Sequence, residues 1–182
     1  MELRTQRLVL RDFRPEDATT AFAYRDDPDY LRYYKPGKSS RPDNRVLVER
    51  FVEWAGQEPR QNYQLAITLD GALIGCAGIR QATMEPGSGE VGIELDPQYW
   101  GQGYAREAGA GLVDFAFADL GLQCLQARCI SANAAIRRLL ERLGMTLARD
   151  LEPEPWMRQR GWTTCLYRCD RQVGKQDNRI EP

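Results

Sequence analysis

The run Glu90-Val91-Gly92-Ile93-Glu94-Leu95-Asp96-Pro97-Gln98-Tyr99-Trp100-Gly101-Gln102-Gly103-Tyr104-Ala105-Arg106-Glu107 decides how this chain is read. Its first seven residues alternate in the period of a half-buried strand, with Val91, Ile93 and Leu95 on one face and Glu90, Gly92, Glu94 and Asp96 on the other. Its last residues open a long apolar helix. Between them, Gly101 and Gly103 let the backbone curl with few side chains in the way. Amides from Gly101 to about Arg106 can then converge on one spot at the positive end of a helix dipole, a trap suited to a pyrophosphate. The alternative is a tight turn whose glycines only permit the bend. A strand directly before and a helix directly after favour the anion site. A Rossmann dinucleotide site is a poor rival, because only two of its three glycines exist and no βαβ unit opens the chain. Strand, Gly-rich turn and helix make a cofactor-binding device, which points to an enzyme rather than a scaffold.

The chain has 182 residues, enough for one domain with a sizeable core. That domain is expected over residues 1–170, followed by a polar, disordered tail at 171–182. A net charge of −1 and a pI near 5.7 leave no broad basic face for nucleic acid. No apolar run reaches the roughly 18 residues a membrane helix needs. The start, Met1-Glu2-Leu3-Arg4-Thr5, lacks the layout of a signal peptide, so a cytoplasmic protein is expected. A homodimer is the assembly that the base rate for soluble oligomers suggests.

Five cysteines (Cys76, Cys124, Cys129, Cys165, Cys169) include no C-x-x-C pair and fall mostly in apolar strand-like runs. They read as reduced, buried thiols. The chain has no histidine, which removes His-based triads and argues against a zinc site; no metal is expected. A general base must be a carboxylate, a water chain or a lowered amine.

The pattern along the chain predicts a strand over Thr5–Phe13 and a helix from Arg14-Pro15 to about Asp26. A polar, aromatic loop or broken short helix follows over Asp27–Ser40, and a second helix begins at Pro42. Strands are expected at Tyr63–Leu69, Leu73–Ala82 and Glu90–Asp96, the first two joined by the hairpin signal Asp70-Gly71. The helix Tyr104–Leu120, a strand Leu122–Ile130 and an amphipathic helix Asn133–Leu143 come next. Met145–Asp150 and Thr163–Cys169 close the sheet around the loop Glu152–Trp156. The unit from Glu90 to Ile130 has a crossover long enough for a parallel, right-handed strand pair. The fold class is therefore α+β: a mixed, mostly antiparallel central sheet with helices on both faces and one parallel strand pair.

These residues resemble the Gcn5-related N-acetyltransferase superfamily. Gln98-x-x-Gly101-x-Gly103 fits its phosphate loop, and Asn133 followed by a helix ending in Leu143-Gly144-Met145 fits its next signature. The opening Leu3-x-Thr5-x-Arg7-Leu8-x-Leu10-Arg11-x-Phe13 is similar to the branch that acetylates the N-termini of ribosomal proteins. The resemblance covers Leu3 to about Cys169. It departs at Ala135, where many members have Ser. It departs again at Leu139, Leu140 and Leu143, since many members carry in this helix a Tyr that protonates the departing thiolate.

The resemblance implies an N-acetyltransferase that moves an acetyl group from acetyl-CoA to a primary amine, either a protein N-terminus or a small-molecule amine. The amine attacks directly in a ternary complex. A non-enzymatic acyl-CoA sensor on the same scaffold is the alternative. The expected cofactor-binding stretch is Gln98, Trp100, Gly101, Gln102, Gly103, Tyr104, Ala105 and Arg106. The family's splay between two strands implies pantetheine contacts with the main chain at Ile93 and Leu95, one amide there polarising the thioester carbonyl. Asn133 either hydrogen-bonds the pantetheine or caps its helix, or does both.

A substrate ammonium must lose a proton before attack, and a carboxylate is the available base. The resemblance makes Glu90 the first candidate, since members often place Glu near the start of this strand, and Glu94 is the second. A regular strand sets them roughly 13 Å apart, with Gly92 leaving room for a ligand between them. The alternative for both is a solvent-facing charge. Arg137, Arg138 and Arg142 read as a solvated helix face. Tyr30, Tyr33, Tyr34 and Trp156 either frame the acceptor site or simply pack.

Overall fold

The computed structural model describes residues 1–35 and 43–171. A single eight-stranded sheet organises them. Its strands are β1 (Glu2–Arg4), β2 (Leu8–Asp12), β3 (Asn62–Leu69), β4 (Ala72–Arg80), β5 (Ser88–Leu95), β6 (Cys124–Ile130), β7 (Thr146–Leu151) and β8 (Thr164–Asp170). They lie in the order β1-β2-β3-β4-β5-β6-β8-β7. Every neighbouring pair is antiparallel except β5 and β6, the expected crossover pair. The helices are α1 (Pro28–Leu31), α2 (Asn44–Ala55), α3 (Tyr104–Ala118), α4 (Ala134–Arg142) and α5 (Pro155–Arg158).

The middle of the sheet is buried on both faces, each by its own apolar cluster, while the edge strand β7 is exposed. On one side Ala108, Leu112, Phe115 and Ala116 of α3, with Leu140 of α4, pack on Leu10, Ile79, Val91, Leu95, Leu125 and Ala127. On the other, Leu47, Val48 and Phe51 of α2 meet Phe13, Phe22, Tyr24, Tyr30, Ala66 and Cys76. That helix is capped by Asp43, whose carboxylate accepts from the Arg45 amide at 2.9 Å. The β3–β4 hairpin turns at Asp70 (φ 48°) and Gly71 (φ 83°), the two positive φ values that let a tight turn follow the strand twist.

Three elements differ from the sequence expectation. The strand expected over Thr5–Phe13 is the second arm of a hairpin. Thr5 N–H reaches the Leu8 carbonyl at 3.0 Å and Leu8 N–H reaches Thr5 Oγ1 at 3.1 Å, so the chain reverses there. The helix expected from Arg14 to Asp26 is two 3-10 turns, Pro15–Thr19 and Ala23–Asp26, separated by Phe22 at φ 66°. Burial overrides the local signal: the kink sends the Phe22 ring into contact with Phe13 and Phe51. Within Glu152–Trp156, the last two residues begin the single turn α5. The expected helix start at Pro42, part of the loop to Ser40, and the tail beyond residue 171 lie outside the described residues.

Asp17 ties the first of these turns to β2. Arg11 donates to its carboxylate through both Nη atoms at 2.8 Å, and the Arg14 amide adds a third bond at 2.8 Å. Burial alone would raise the Asp17 pKa, but the Arg11 guanidinium and the Arg14 amide outweigh it and hold the carboxyl below its usual range. The folded pKa is therefore lower than the unfolded one. The stabilisation is present above the unfolded value and is lost as pH falls through the folded value. Asp17→Asn is expected to lower the urea midpoint at pH 7 and to converge with the parent chain in strong acid, as urea titrations from neutral to strongly acidic pH would measure.

Candidate active site

The parallel contact between β5 and β6 is short. Ser88, Gly89 and Glu90 face Cys124, Leu125 and Gln126, and the pairing ends there. Beyond it β5 continues along β4 while β6 continues along β8, so the two strands part. The Asp96 amide bonds the Ile74 carbonyl across β4 at 2.9 Å. In an antiparallel ladder this fixes the direction of every second residue. Glu90, Gly92 and Glu94 turn their backbone polar groups toward β4. Val91, Ile93 and Leu95 turn theirs toward the opening. Of these, the Leu95 carbonyl is taken by the Trp100 indole N–H at 2.9 Å.

The opening leads to the glycine loop. Asp96 caps the turn before it by accepting from the Gln98 amide at 2.9 Å, and the Gln102 side chain closes back on the Gln98 carbonyl at 3.0 Å. Gly101 and Gly103 have φ values of 75° and 85°, conformations that favour glycine. Gly103 is the N-cap of α3 and has no side chain with which to cap it. The first backbone bond of the helix runs from Glu107 N–H to the Gly103 carbonyl, so the amides of Tyr104, Ala105 and Arg106 precede the ladder. A Cβ placed on Gly101 would meet nothing within 4 Å. An uncapped helix start beside open space fits a phosphate group.

The two candidate carboxylates sit in different surroundings. Glu94 accepts from Tyr30 Oη at 2.6 Å, Tyr24 Oη at 3.1 Å and Arg25 Nη2 at 2.5 Å, and Cys76 Sγ lies 3.4 Å away. Burial, then the Glu94 charge, push the Tyr24 and Tyr30 phenols above their usual range, so both stay neutral donors. Arg25 is desolvated, yet Glu94 outweighs that and keeps it protonated. Glu90 is held more loosely, between Arg80 Nη2 at 3.3 Å and Arg128 Nη2 at 3.4 Å. It stands where β5 and β6 part. The room expected over Gly92 is occupied: a Cβ there would lie 3.1 Å from Arg80 Nη2. The approach to the β5 backbone is thus from the open edge.

Asn133 caps α4, its side-chain oxygen accepting from the Ile136 amide at 3.2 Å, which leaves its NH2 group for another partner. The tyrosine that does approach α4 comes from β8. Tyr167 is fully buried; its oxygen accepts from Arg137 Nε at 3.2 Å and its hydroxyl donates to Glu141 at 3.3 Å. Arg137, read as part of a solvated face, therefore makes a tertiary contact. Four of the five cysteines are buried and the fifth, Cys169, is half-buried. Burial raises all five thiols, Cys129 to about 12, with its neighbour Cys165 adding to the effect.

The aromatic residues divide. Tyr30 stacks on Tyr34 at 5.1 Å between ring centroids while binding Glu94. Tyr33 reaches Trp162 at 5.9 Å, and Trp162 meets Trp156 at 6.3 Å. The Tyr33–Trp162 contact connects the segment packed over β5 with the segment that enters β8, on the far side of the parting strands. Trp162, Tyr24 and Arg25 did not stand out in the sequence. Tyr24 and Arg25 read there as ordinary helix residues.

A family model described as an acetyltransferase (GNAT) domain matches residues 7–146. The chain belongs to that family. Its members use acetyl-CoA, and the chain is an acetyl-CoA-dependent acyltransferase. An N-acetyltransferase of Bacillus licheniformis, p20, is 27% identical over 154 residues, covering 82% of this chain and 86% of that one. The solved ribosomal-protein-S5-alanine acetyltransferase from Vibrio fischeri aligns with a TM-score of 0.77 at 19% identity, covering 95% of this chain and 98% of that chain. RimJ of Mycobacterium smegmatis, in complex with CoA-disulfide, aligns with a TM-score of 0.75 at 21% identity, covering 97% and 88%. None of the described helices is long and apolar enough to cross a membrane.

The contrast between the carboxylates is measurable as stability. Glu94→Ala leaves Arg25 and two tyrosines without their shared acceptor and is expected to cost about 3 kcal/mol. Glu90→Gln loosens two half-exposed arginines and is expected to cost less than about 1 kcal/mol. Urea denaturation of the two variants checks both.

Proposed function

We propose that the chain transfers acetyl from acetyl-CoA to a primary amine, a protein N-terminus or a small-molecule amine, by direct attack in a ternary complex. The observation that carries this is the continuity of loop, open strand edge and carboxylate. The uncapped amides of α3 lie at the mouth of the opening, the backbone groups of Ile93 and Leu95 line it, and Glu90 stands at its inner end. Amides from Gly101 to Arg106 hold the pyrophosphate. An arm running back along β5 from Leu95 to Val91 spans roughly 13 Å and ends beside Glu90. The Ile93 N–H, turned into the opening, polarises the thioester carbonyl. The free NH2 of Asn133 bonds the arm from the α4 side.

Glu90 takes the proton of the substrate ammonium, directly or through a water. The amine nitrogen attacks the carbonyl carbon and the C–S bond breaks to release CoA thiolate; the nitrogen gives its surplus proton to solvent, and solvent protonates the thiolate. Glu94 serves a different purpose. With its oxygens occupied by Tyr24, Arg25 and Tyr30, it fastens the acceptor-side segment to β5 rather than moving protons. The raised thiols support attack without an acyl-cysteine intermediate. The likeness of the opening segment to ribosomal-protein N-terminal acetyltransferases supports a protein N-terminus as acceptor, with small amines as the other class.

Glu90→Gln is expected to lower kcat by about 10²-fold or more and to shift the rising limb of the pH–rate profile, with acetyl-CoA affinity little changed. Unaltered turnover would remove Glu90 from this role. Gly103→Trp is expected to abolish CoA binding in calorimetry while circular dichroism still reports a folded chain; retained tight binding would remove the loop. Thiol release from acetyl-CoA, followed across N-terminal peptides, polyamines and amino acids, identifies the acceptor class.

A further inference from the structure

Arg7 lies in the turn between β1 and β2, nearly a hundred residues from the glycine loop in sequence, yet it is built into that loop. Its Nη1 donates to the Gln102 carbonyl at 3.1 Å, and its Nε donates to Glu107 Oε2 at 2.7 Å. Its backbone N–H binds Glu107 Oε1 at 2.6 Å, and its guanidinium lies 4.4 Å above the centre of the Tyr104 ring. Thr5 Oγ1 donates to the same Glu107 oxygen at 2.6 Å while accepting from the Leu8 amide. Thus Thr5 and Arg7 together clamp the first turn of α3.

We propose that Arg7 is a positioning residue for donor binding: it sets the direction of the Gln102–Gly103 peptide. This rests on the loop's assignment to the pyrophosphate. In a trans peptide the C=O and the following N–H point opposite ways. Holding the Gln102 carbonyl against Arg7 therefore turns the Gly103 N–H away from Arg7, toward the helix start that receives the phosphates. The peptide is bordered by Gly103 and lies one residue beyond Gly101, both at positive φ, where little steric cost opposes a flip. A flipped peptide would present a carbonyl dipole to the anion.

Arg7 and Thr5 act on charge as well. Glu107 is the acidic residue of the first turn of α3, close to where phosphate must bind. The clamp holds its carboxylate against the β1–β2 turn and places a guanidinium beside it. The opening motif Thr5-x-Arg7 thereby shapes the loop from the far end of the chain.

The test is calorimetry on the full chain with CoA and with pantetheine, which lacks the pyrophosphate and nucleotide. Arg7→Met keeps the aliphatic stem and removes the donors. It is expected to weaken CoA about tenfold while leaving pantetheine affinity and Tm near the parent values. Arg7→Lys, a point charge that cannot span both acceptors, is expected to fall between. Parent-like CoA affinity in Arg7→Met, or an equal loss for CoA and pantetheine in both variants, would overturn the proposal. A parent chain that binds pantetheine as tightly as CoA would instead overturn the loop assignment beneath it.

Discussion

The contact between β5 and β6 holds over Ser88–Glu90 and then stops, and an opening in the middle of the sheet follows from that parting. A sheet strand that loses its neighbour leaves a row of backbone donors and acceptors needing partners. Here the row is not at the outer edge of the sheet but in its middle, flanked by helices on both faces. An extended ligand can pair with it as a strand would. The opening is the consequence of one local failure of pairing, kept because β6 is committed to β8 and β5 to β4.

Keeping the slot open requires that its two sides be held independently. On the β5 side the hold is the Glu94 cluster, where a carboxylate, a guanidinium and two phenols satisfy one another in a largely desolvated space. Such a cluster contributes modestly as a sum but strongly opposes removal of any single member, which suits a part that must keep its shape. On the β6 side α4 plays the corresponding part, with Arg137 joined to Tyr167 of β8.

Much of this is legible in the sequence because it rests on local signals. The alternation from Glu90 to Asp96 marks β5, Asp70-Gly71 marks the hairpin, and the paired glycines mark the loop. The segment from Arg14 to Asp26 departs from its pattern because its helical signs, a proline and first-turn acids, are outweighed by the burial of Phe22 against rings from β2's end and α2. Arg80's place over Gly92 depends on strand register, which no local pattern in either strand discloses. The same holds for Glu94: its residue type and face can be read, but its partners come from turns some 64–70 residues earlier. Thr5 and Arg7 are visible as a motif with no evident purpose, since their partners lie across the fold.

The withdrawn thiols have a practical side. Disulfide dyes react with thiolates, and every cysteine of this chain is disfavoured in that form and shielded to some degree. Coenzyme released during turnover, a small mobile thiol in water, faces neither obstacle. Colour developed by such a dye is thus expected to report product with little background from the chain's own thiols.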